Sequence, residues 1–165
     1  GGAGTGQHLA GELFKLMAKI NMVHISYKGT APAVADLMGG HADLAFLDPT
    51  VLPQISSGKL KALGVSGSRR YEPLPNVPVI AESGLPGYEA LQWAGLLAPA
   101  GTARELIARL HKESVATLSR PELVENVVRD GSVVVASTPE AFTTFIKAEV
   151  AKWAGVVKAA GILPE

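Results

Sequence analysis

The feature that most constrains this chain is its opening, where four of the first six residues are glycine. Glycine loses more backbone freedom on ordering than any other residue, so such a run is not typical of a helix or strand interior. Apolar residues then recur at helical spacing, and Thr5 stands where an N-cap is expected. The pattern predicts a glycine loop that leads into a helix over residues 6–20.

A helix that begins beside glycines is suited to bind an anion. Its first N–H groups have no intrahelical partner, its dipole places partial positive charge there, and glycines let a ligand approach the backbone. A tight turn without a ligand explains the same residues, and both interpretations stay open at this point. A P-loop would need Gly-Lys-Ser/Thr, whereas Gly6 is followed by Gln7 and His8. An anion is therefore a candidate ligand, and a nucleotide is not.

The composition predicts a folded domain without a large net charge. Hydrophobic residues make up 47% of the chain and charged residues 18%, which argues against disorder. The 15 basic residues balance the 15 acidic ones, so no net charge favours nucleic acid or an acidic membrane. There is no cysteine, which excludes disulfides and thiolate chemistry. The chain begins at Gly1 without a visible signal peptide, and we expect an N-terminal part of the protein to be absent.

Short apolar segments alternate with helical patterns along the rest of the chain. Strands are predicted over residues 23–27, 43–47, 61–66, 90–98 and 133–135. Helices are predicted from Thr30 as a cap to the Gly39-Gly40 pair, and over residues 49–57, 102–118, 121–129 and 139–160, with a short helix near 79–83. Strands separated by helices predict βαβ units and a parallel α/β sheet. Four prolines between residues 67 and 87 mark a linker or a crossing between lobes.

Three predicted loops are candidates for a binding site. Ligands of parallel sheets bind where a strand gives way to a helix, which here means residues 4–8, 28–31 and 46–50. Each loop carries a glycine or threonine at a helix start, so each offers the N–H and hydroxyl donors that a carboxylate requires. Helix capping alone would also explain each loop.

No residue pattern predicts catalysis. The segment nearest to a nucleophile elbow surrounds Ser66 and lacks its last glycine, so Ser66 is better explained as the end of a strand. The four histidines show no metal-ligand spacing. His8 could donate to a ligand or cap a loop carbonyl, and Asp48 could orient a ligand or only cap a helix. Trp153 is expected to pack in the core, and Trp93 to pack or to line a cleft. Binding without chemistry is the prediction that remains.

Several motifs, in one order along nearly the whole chain, resemble a known family. They include Gly2-x-Gly4-Thr5-x-x-His8-Leu9-Ala10-Gly11-Glu12-Leu13-Phe14, His24-Ile25-Ser26-Tyr27-Lys28-Gly29, Glu82-x-Gly84-x-Pro86-Gly87-Tyr88-Glu89 and Ala98-Pro99-Ala100-Gly101-Thr102. The chain resembles the periplasmic solute-binding receptors of tripartite tricarboxylate transport systems, the Bug family. The resemblance implies an α/β, periplasmic-binding-protein-like (Venus flytrap) architecture of two lobes, incomplete here because its N-terminal portion is absent.

The resemblance also implies a division of the chain and a set of site residues. Residues 1–81 would form most of the second lobe, residues 82–87 the crossing, and residues 88–165 the C-terminal part of the first lobe. The family's ligand loops carry over to Gly4, Thr5, Gly6 and His8, to Thr30 and Ala31, and to Phe46 and Asp48.

The implied function is non-catalytic binding of a small di- or tricarboxylate, or a related organic acid, in the periplasm and its delivery to a membrane permease. No cofactor, metal or nucleic acid is implied. A ligand-sensing receptor coupled to a regulatory partner is the alternative, followed by an α/β enzyme with His8 or Asp48 as a general base. Because half of the cleft is expected to be absent, we predict weak ligand affinity for the chain alone, and its apolar sheet edges favour self-association.

Overall fold

The computed structural model describes residues 2–129 and 132–162. Its regular structure in these ranges is helical: α1 Gly6–Ala18, α2 Thr30–Met38, α3 Leu52–Ser56, α4 Arg104–Leu118, α5 Pro121–Arg129 and α6 Pro139–Ala160, with 3₁₀ turns at Pro49–Val51 and Ile80–Ser83. Within these ranges, no helix combines the length and the apolar character that a membrane crossing requires.

Local capping chemistry sets the bounds of α1. Thr5 has an extended backbone, and its hydroxyl accepts the His8 N–H at 3.4 Å, which confirms the predicted N-cap. The helix ends at Ala18 because Lys19 turns into the left-handed region with a φ of 54°. It is thus two residues shorter than the apolar pattern predicts.

The prediction that Thr30 caps α2 is wrong. Gly29 is the N-cap, with a φ of 112° that favours glycine, and Thr30 is the first helical residue. The Thr30 hydroxyl therefore has no capping role and donates to Oδ2 of Asp48 at 3.2 Å. The helix ends where predicted, at Gly39 and Gly40, and Gly40 has a φ of 74°.

The later helices follow the predicted caps closely. Asp48 opens the third helical segment as predicted, but this segment divides into the 3₁₀ turn Pro49–Val51 and the short helix α3. The Thr138 hydroxyl accepts the Ala141 N–H at 3.2 Å at the start of α6, as the capping pattern predicts. Helix α4 begins two residues later than predicted, at Arg104.

The predicted strands do not form β-ladders within the described residues. In their place the structure has an isolated parallel bridge, in which Val65 donates to the Pro78 carbonyl at 2.9 Å and accepts from the Ile80 N–H at 3.0 Å. The predictions of individual strands over residues 23–27, 43–47, 61–66, 90–98 and 133–135 are therefore wrong. An apolar pattern favours a strand, but a strand forms only when a neighbouring backbone completes its hydrogen bonds.

A buried core lies against α1. Tyr88 is only 1% exposed and packs with Ala10 and Ala90. Its ring meets the Phe14 ring edge-on at 6.0 Å, and its hydroxyl donates to the Ala10 carbonyl at 3.0 Å. Burial raises the pKa of this hydroxyl well above its ordinary value. Trp153 packs on the same core, which confirms its predicted structural role.

The described residues divide into two compact units. One contains the chain up to Gln92 together with the part of α6 from Lys152 onward, and the other lies within Trp93–Ala151. In the second unit Trp93 packs edge-on against the rings of Phe142 and Phe145 at 5.6 and 5.4 Å. The lobe boundaries at residues 81–88 stay a prediction.

Two glycines of the chain differ in whether they can accept a side chain. A methyl group on Gly95 would overlap the Phe142 ring, which Trp93 and Phe145 hold in place, whereas Gly155 in α6 has open space around it. We predict that Gly95→Ala lowers the free energy of unfolding by about 1–3 kcal/mol, as overpacking does. Gly155→Ala is its matched control and should raise it by about 0.5–1 kcal/mol. Urea denaturation measures both, and equal effects would contradict the packing of Gly95.

Candidate functional site

The first predicted loop is a closed turn at the N-terminus of α1. Gly4 has a φ of 71°, in the left-handed region that favours glycine. The Thr5 hydroxyl donates to the Gly2 carbonyl at 2.8 Å, and the Gly4 N–H donates to Nδ1 of His8 at 3.0 Å. The structure thus brings together Gly4, Thr5, Gly6 and His8, as the sequence predicts.

The first turn of α1 presents backbone donors next to these glycines. Gly6 and Gln7 begin the helix, and N–H groups at this position have no intrahelical acceptor. No acidic side chain lies in the first turn of α1. A Cβ on Gly6 would lie 3.0 Å from Nε2 of Gln92, so the Gln92 amide lies beside this glycine, which is itself exposed. Sequence reasoning missed Gln92 because no local pattern links two residues so far apart in the chain.

His8 is held on three sides. The residue is 8% exposed, its Nδ1 accepts the Gly4 N–H, and its Nε2 lies 3.8 Å from Oε1 of Glu12. The ring of His24 stacks on it with centroids 3.9 Å apart and an interplanar angle of 23°. Partial burial lowers the pKa of His24, and the neighbouring His8 lowers it further. No sequence pattern links these two histidines.

Asp48 joins the second and third predicted loops. Its Oδ1 accepts the Thr50 N–H at 3.0 Å and also the Thr50 hydroxyl, while its Oδ2 accepts the Thr30 hydroxyl at 3.2 Å. Burial acts to raise the pKa of this carboxyl, but the hydrogen bonds from Thr50 and Thr30 outweigh it and hold the pKa below its usual range. The ionised carboxylate therefore binds the two threonines, and their hydroxyl protons are already engaged.

A cavity of about 370 Å³ lies beside this cluster, between α2 and the segment that contains α3. Its wall is mostly apolar and consists of Thr30, Ala31, Val34, Ala35, Met38, Thr50, Val51 and Gln54. Two predicted site residues, Thr30 and Ala31, thus line a space of the size that small ligands occupy. Oε1 of Gln54 is buried there without a hydrogen-bond partner in the described part of the chain. No sequence pattern singled out Gln54.

The other predicted site residues do not line this cavity. The Phe46 ring packs in the core beside Phe14 and Tyr88, with centroid distances of 5.9 and 6.5 Å. Gly4, Thr5, Gly6 and His8 belong to the turn at α1. Within residues 2–129 and 132–162, no group of three or more carboxylate and imidazole side chains could hold a metal ion.

The hydrogen bonds at Asp48 predict a pH-dependent stability. The pKa of Asp48 is lower in the folded state than in the unfolded state, so its ionised carboxylate stabilises the fold at pH values above the unfolded pKa of about 3.9. This stabilisation is lost as the pH falls through the folded-state pKa. We expect Asp48→Ala to lower the free energy of unfolding at pH 7 by about 0.5–2 kcal/mol, as loss of an N-cap does. The difference should shrink below pH ~4.

Urea titrations at several pH values measure this effect. The exposed carboxylate of Asp43 lies in the same loop, so Asp43→Ala is the matched control and should change stability little. A loss for Asp48→Ala that is independent of pH would contradict the role assigned to the ionised carboxylate.

Comparison with known proteins identifies relatives for nearly the whole chain. The family described as "Tripartite tricarboxylate transporter family receptor" matches residues 1–162. Protein BugT of Bordetella pertussis is 41% identical over 162 residues, which are 96% of this chain and 49% of BugT. The chain therefore spans about half the length of this relative.

Solved structures of similar proteins share the fold. The R. palustris protein Rpa4515, solved with adipate, is 34% identical and superposes with a TM-score of 0.80 over 98% of this chain and 55% of that one. The periplasmic binding protein BugD is 36% identical, with a TM-score of 0.76 over 96% of this chain and 54% of BugD. The fold is thus that of periplasmic binding proteins, of which this chain covers about half. The chain belongs to the tripartite tricarboxylate transporter receptor family, which includes the Bug proteins.

Proposed function

We propose that this chain takes part in binding a small organic carboxylate, without transforming it, for delivery to a tripartite tricarboxylate transporter. The observation that carries the proposal is the family match over residues 1–162. It is supported by the adipate in the similar structure of Rpa4515 and by the periplasmic description of BugD. The proposal therefore includes the periplasm as the compartment and a membrane permease as the partner. It contains no catalytic step, because the family is one of receptors.

We propose the N-terminus of α1 as one anchor for a carboxylate. The helix has 13 residues, begins directly after the glycine turn and has no acidic side chain in its first turn. Its dipole and its first N–H groups therefore face no internal anion that would compete with a ligand. Gly4 and Gly6 leave the backbone without side chains at this end of the helix.

We propose the start of α2 as the second anchor. This helix also lacks an acidic residue in its first turn, and Thr30 and Ala31 line the adjoining cavity. The third predicted loop provides no donors, because the Asp48 carboxylate already accepts the Thr50 N–H and the hydroxyls of both threonines. The same carboxylate opposes an anion at the start of α2, so this anchor is the weaker of the two. In this proposal Asp48 holds Thr30 in place, and Phe46 belongs to the core.

Two such helix termini provide only modest affinity. Each contributes at most about 2 kcal/mol when partly buried, so the two together give at most about 4 kcal/mol. That upper limit corresponds to a dissociation constant no lower than about 1 mM. Weak binding is thus the expectation for this chain.

We predict that adipate binds saturably to the chain and shifts the amide resonances of Gly6, Gln7, Thr30 and Ala31. Adipamide, the neutral diamide of the same length, should not bind, because both anchors act on negative charge. Gln7→Glu would place a carboxylate in the first turn of α1 and should weaken adipate binding about threefold or more. The control Asn76→Asp adds the same charge on an exposed loop residue and should leave affinity unchanged.

Titration by ¹H–¹⁵N NMR measures these affinities. No saturable change with adipate, or equal binding of adipamide, would contradict carboxylate recognition by this chain. Tight binding would contradict the expectation that two helix termini supply most of the free energy.

We also propose that the isolated chain self-associates through its exposed apolar segments. Val23 is 91% exposed, Leu96 is 81% exposed and Val135 is 78% exposed. Each lies in an apolar segment for which the sequence predicts a strand. Burying such side chains releases about 25 cal/mol per Å² of apolar surface. We predict that the mass measured by light scattering rises with concentration, and that Leu96→Lys lowers this rise. A monomer at all concentrations would contradict the proposal.

A further inference from the structure

A buried carboxylate lies beside the glycine turn, and the proposed function does not use it. Glu12 is only 6% exposed, and a buried carboxylate is costly unless other groups compensate its charge. Nζ of Lys15 supplies part of this compensation, at 2.8 Å from Oε1 and 2.7 Å from Oε2. His8 lies one helical turn before Glu12, on the same face of α1.

The position of the proton on His8 follows from its contact with Gly4. Nδ1 accepts the Gly4 N–H at 3.0 Å, so Nδ1 carries no proton and the neutral ring is protonated at Nε2. Nε2 faces Oε1 of Glu12 at 3.8 Å, which is too long for a direct hydrogen bond. The negative charge of Glu12 at this distance nevertheless favours the tautomer whose proton points towards it.

His24 restricts the ways in which the His8 ring can rearrange. The stack at 3.9 Å and 23° keeps the plane of the His8 ring and leaves a half-turn about the Cβ–Cγ bond as the alternative orientation. That half-turn would move Nδ1 away from the Gly4 N–H. A change of tautomer or of ring orientation therefore breaks the same hydrogen bond.

We propose that Glu12 is a positioning residue for the glycine turn. Its carboxylate selects the Nε2–H tautomer of His8, which keeps Nδ1 available for the Gly4 N–H and so holds the turn in front of Gly6 and Gln7. The effect on the turn is inferred from the contacts of His8 with Gly4 and Glu12. The effect on ligand affinity rests on the proposed function. The competing explanation is that Glu12 only pairs with Lys15, and the two explanations predict different spectra.

The test uses the 165-residue chain labelled uniformly with ¹⁵N. Long-range ¹H–¹⁵N spectra should assign the His8 proton to Nε2 in the wild type. Glu12→Leu should give a mixture of tautomers and make the Gly4 amide exchange with solvent about three- to tenfold faster, which corresponds to the loss of one hydrogen bond. Glu12→Asp retains the negative charge on the same face of α1 and should largely restore both readouts, whereas the neutral Glu12→Gln should not.

Two controls separate positioning from simple ion pairing. Lys15→Met removes the other partner of Glu12 and should leave the His8 tautomer unchanged. Glu113→Gln removes an exposed carboxylate on α4 and should change neither readout. An unchanged tautomer and exchange rate in folded Glu12→Leu, or the same loss in Lys15→Met, would overturn the proposal. A proton on Nδ1 of wild-type His8 would overturn it without any variant, so the test does not depend on the folding of Glu12→Leu.

Adipate titration adds a functional readout. Glu12→Leu should weaken adipate binding about three- to tenfold through loss of the ordered turn, and Glu12→Asp, which retains the charge, should bind nearly as the wild type does. Equal adipate affinity in wild type and in a folded Glu12→Leu with altered tautomer would overturn the link between the turn and the ligand. If the wild type does not bind adipate, the proposed function fails, and the tautomer and exchange data still decide the role of Glu12.

Discussion

The hydrogen bond from the buried Tyr88 hydroxyl to the Ala10 carbonyl anchors α1, and the glycine turn depends on that helix. It joins residues 78 positions apart. A buried hydroxyl without a partner would cost several kcal/mol, so this bond strongly favours one placement of the segment around residue 88 against α1. The rings of Phe14 and Phe46 complete the contact around Tyr88. The core thus holds the helix rigidly, and the helix presents its first turn at its free end.

The carboxylates near the proposed anchors are engaged by neighbouring side chains. The first turns of α1 and α2 have no acidic residue, whereas the carboxylates of Glu12 and Asp48 are engaged by Lys15 and by two threonines. In the proposed function, the N–H groups of these two helix starts are the donors that a ligand carboxylate would use. Side chains engaged in this way hold the backbone of the two loops in place.

Much of the helical structure could be predicted because its causes are local. Thr5, Asp48 and Thr138 cap helices as their positions predict, and glycines end α2 where expected. The individual strands could not be predicted in this way, because a strand exists only through a backbone that lies elsewhere in the chain or in another chain. The sequence pattern describes which residues favour extended structure, and it contains no information on where that partner lies. The family resemblance, which depends on many spaced motifs, is confirmed by the comparisons.

The sequence by itself determined the glycine turn, most helix caps, the likeness to carboxylate receptors and the three loops in which site residues were sought. Only the tertiary structure decided what each of these side chains contacts. It stacks His24 on His8, places Gln92 beside Gly6, engages Thr30 with Asp48 and moves Phe46 into the core. The reason is physical: a cap is a contact between residues a few positions apart, whereas these pairs depend on how distant segments pack. Packing is a property of the whole fold, which no short stretch of sequence specifies.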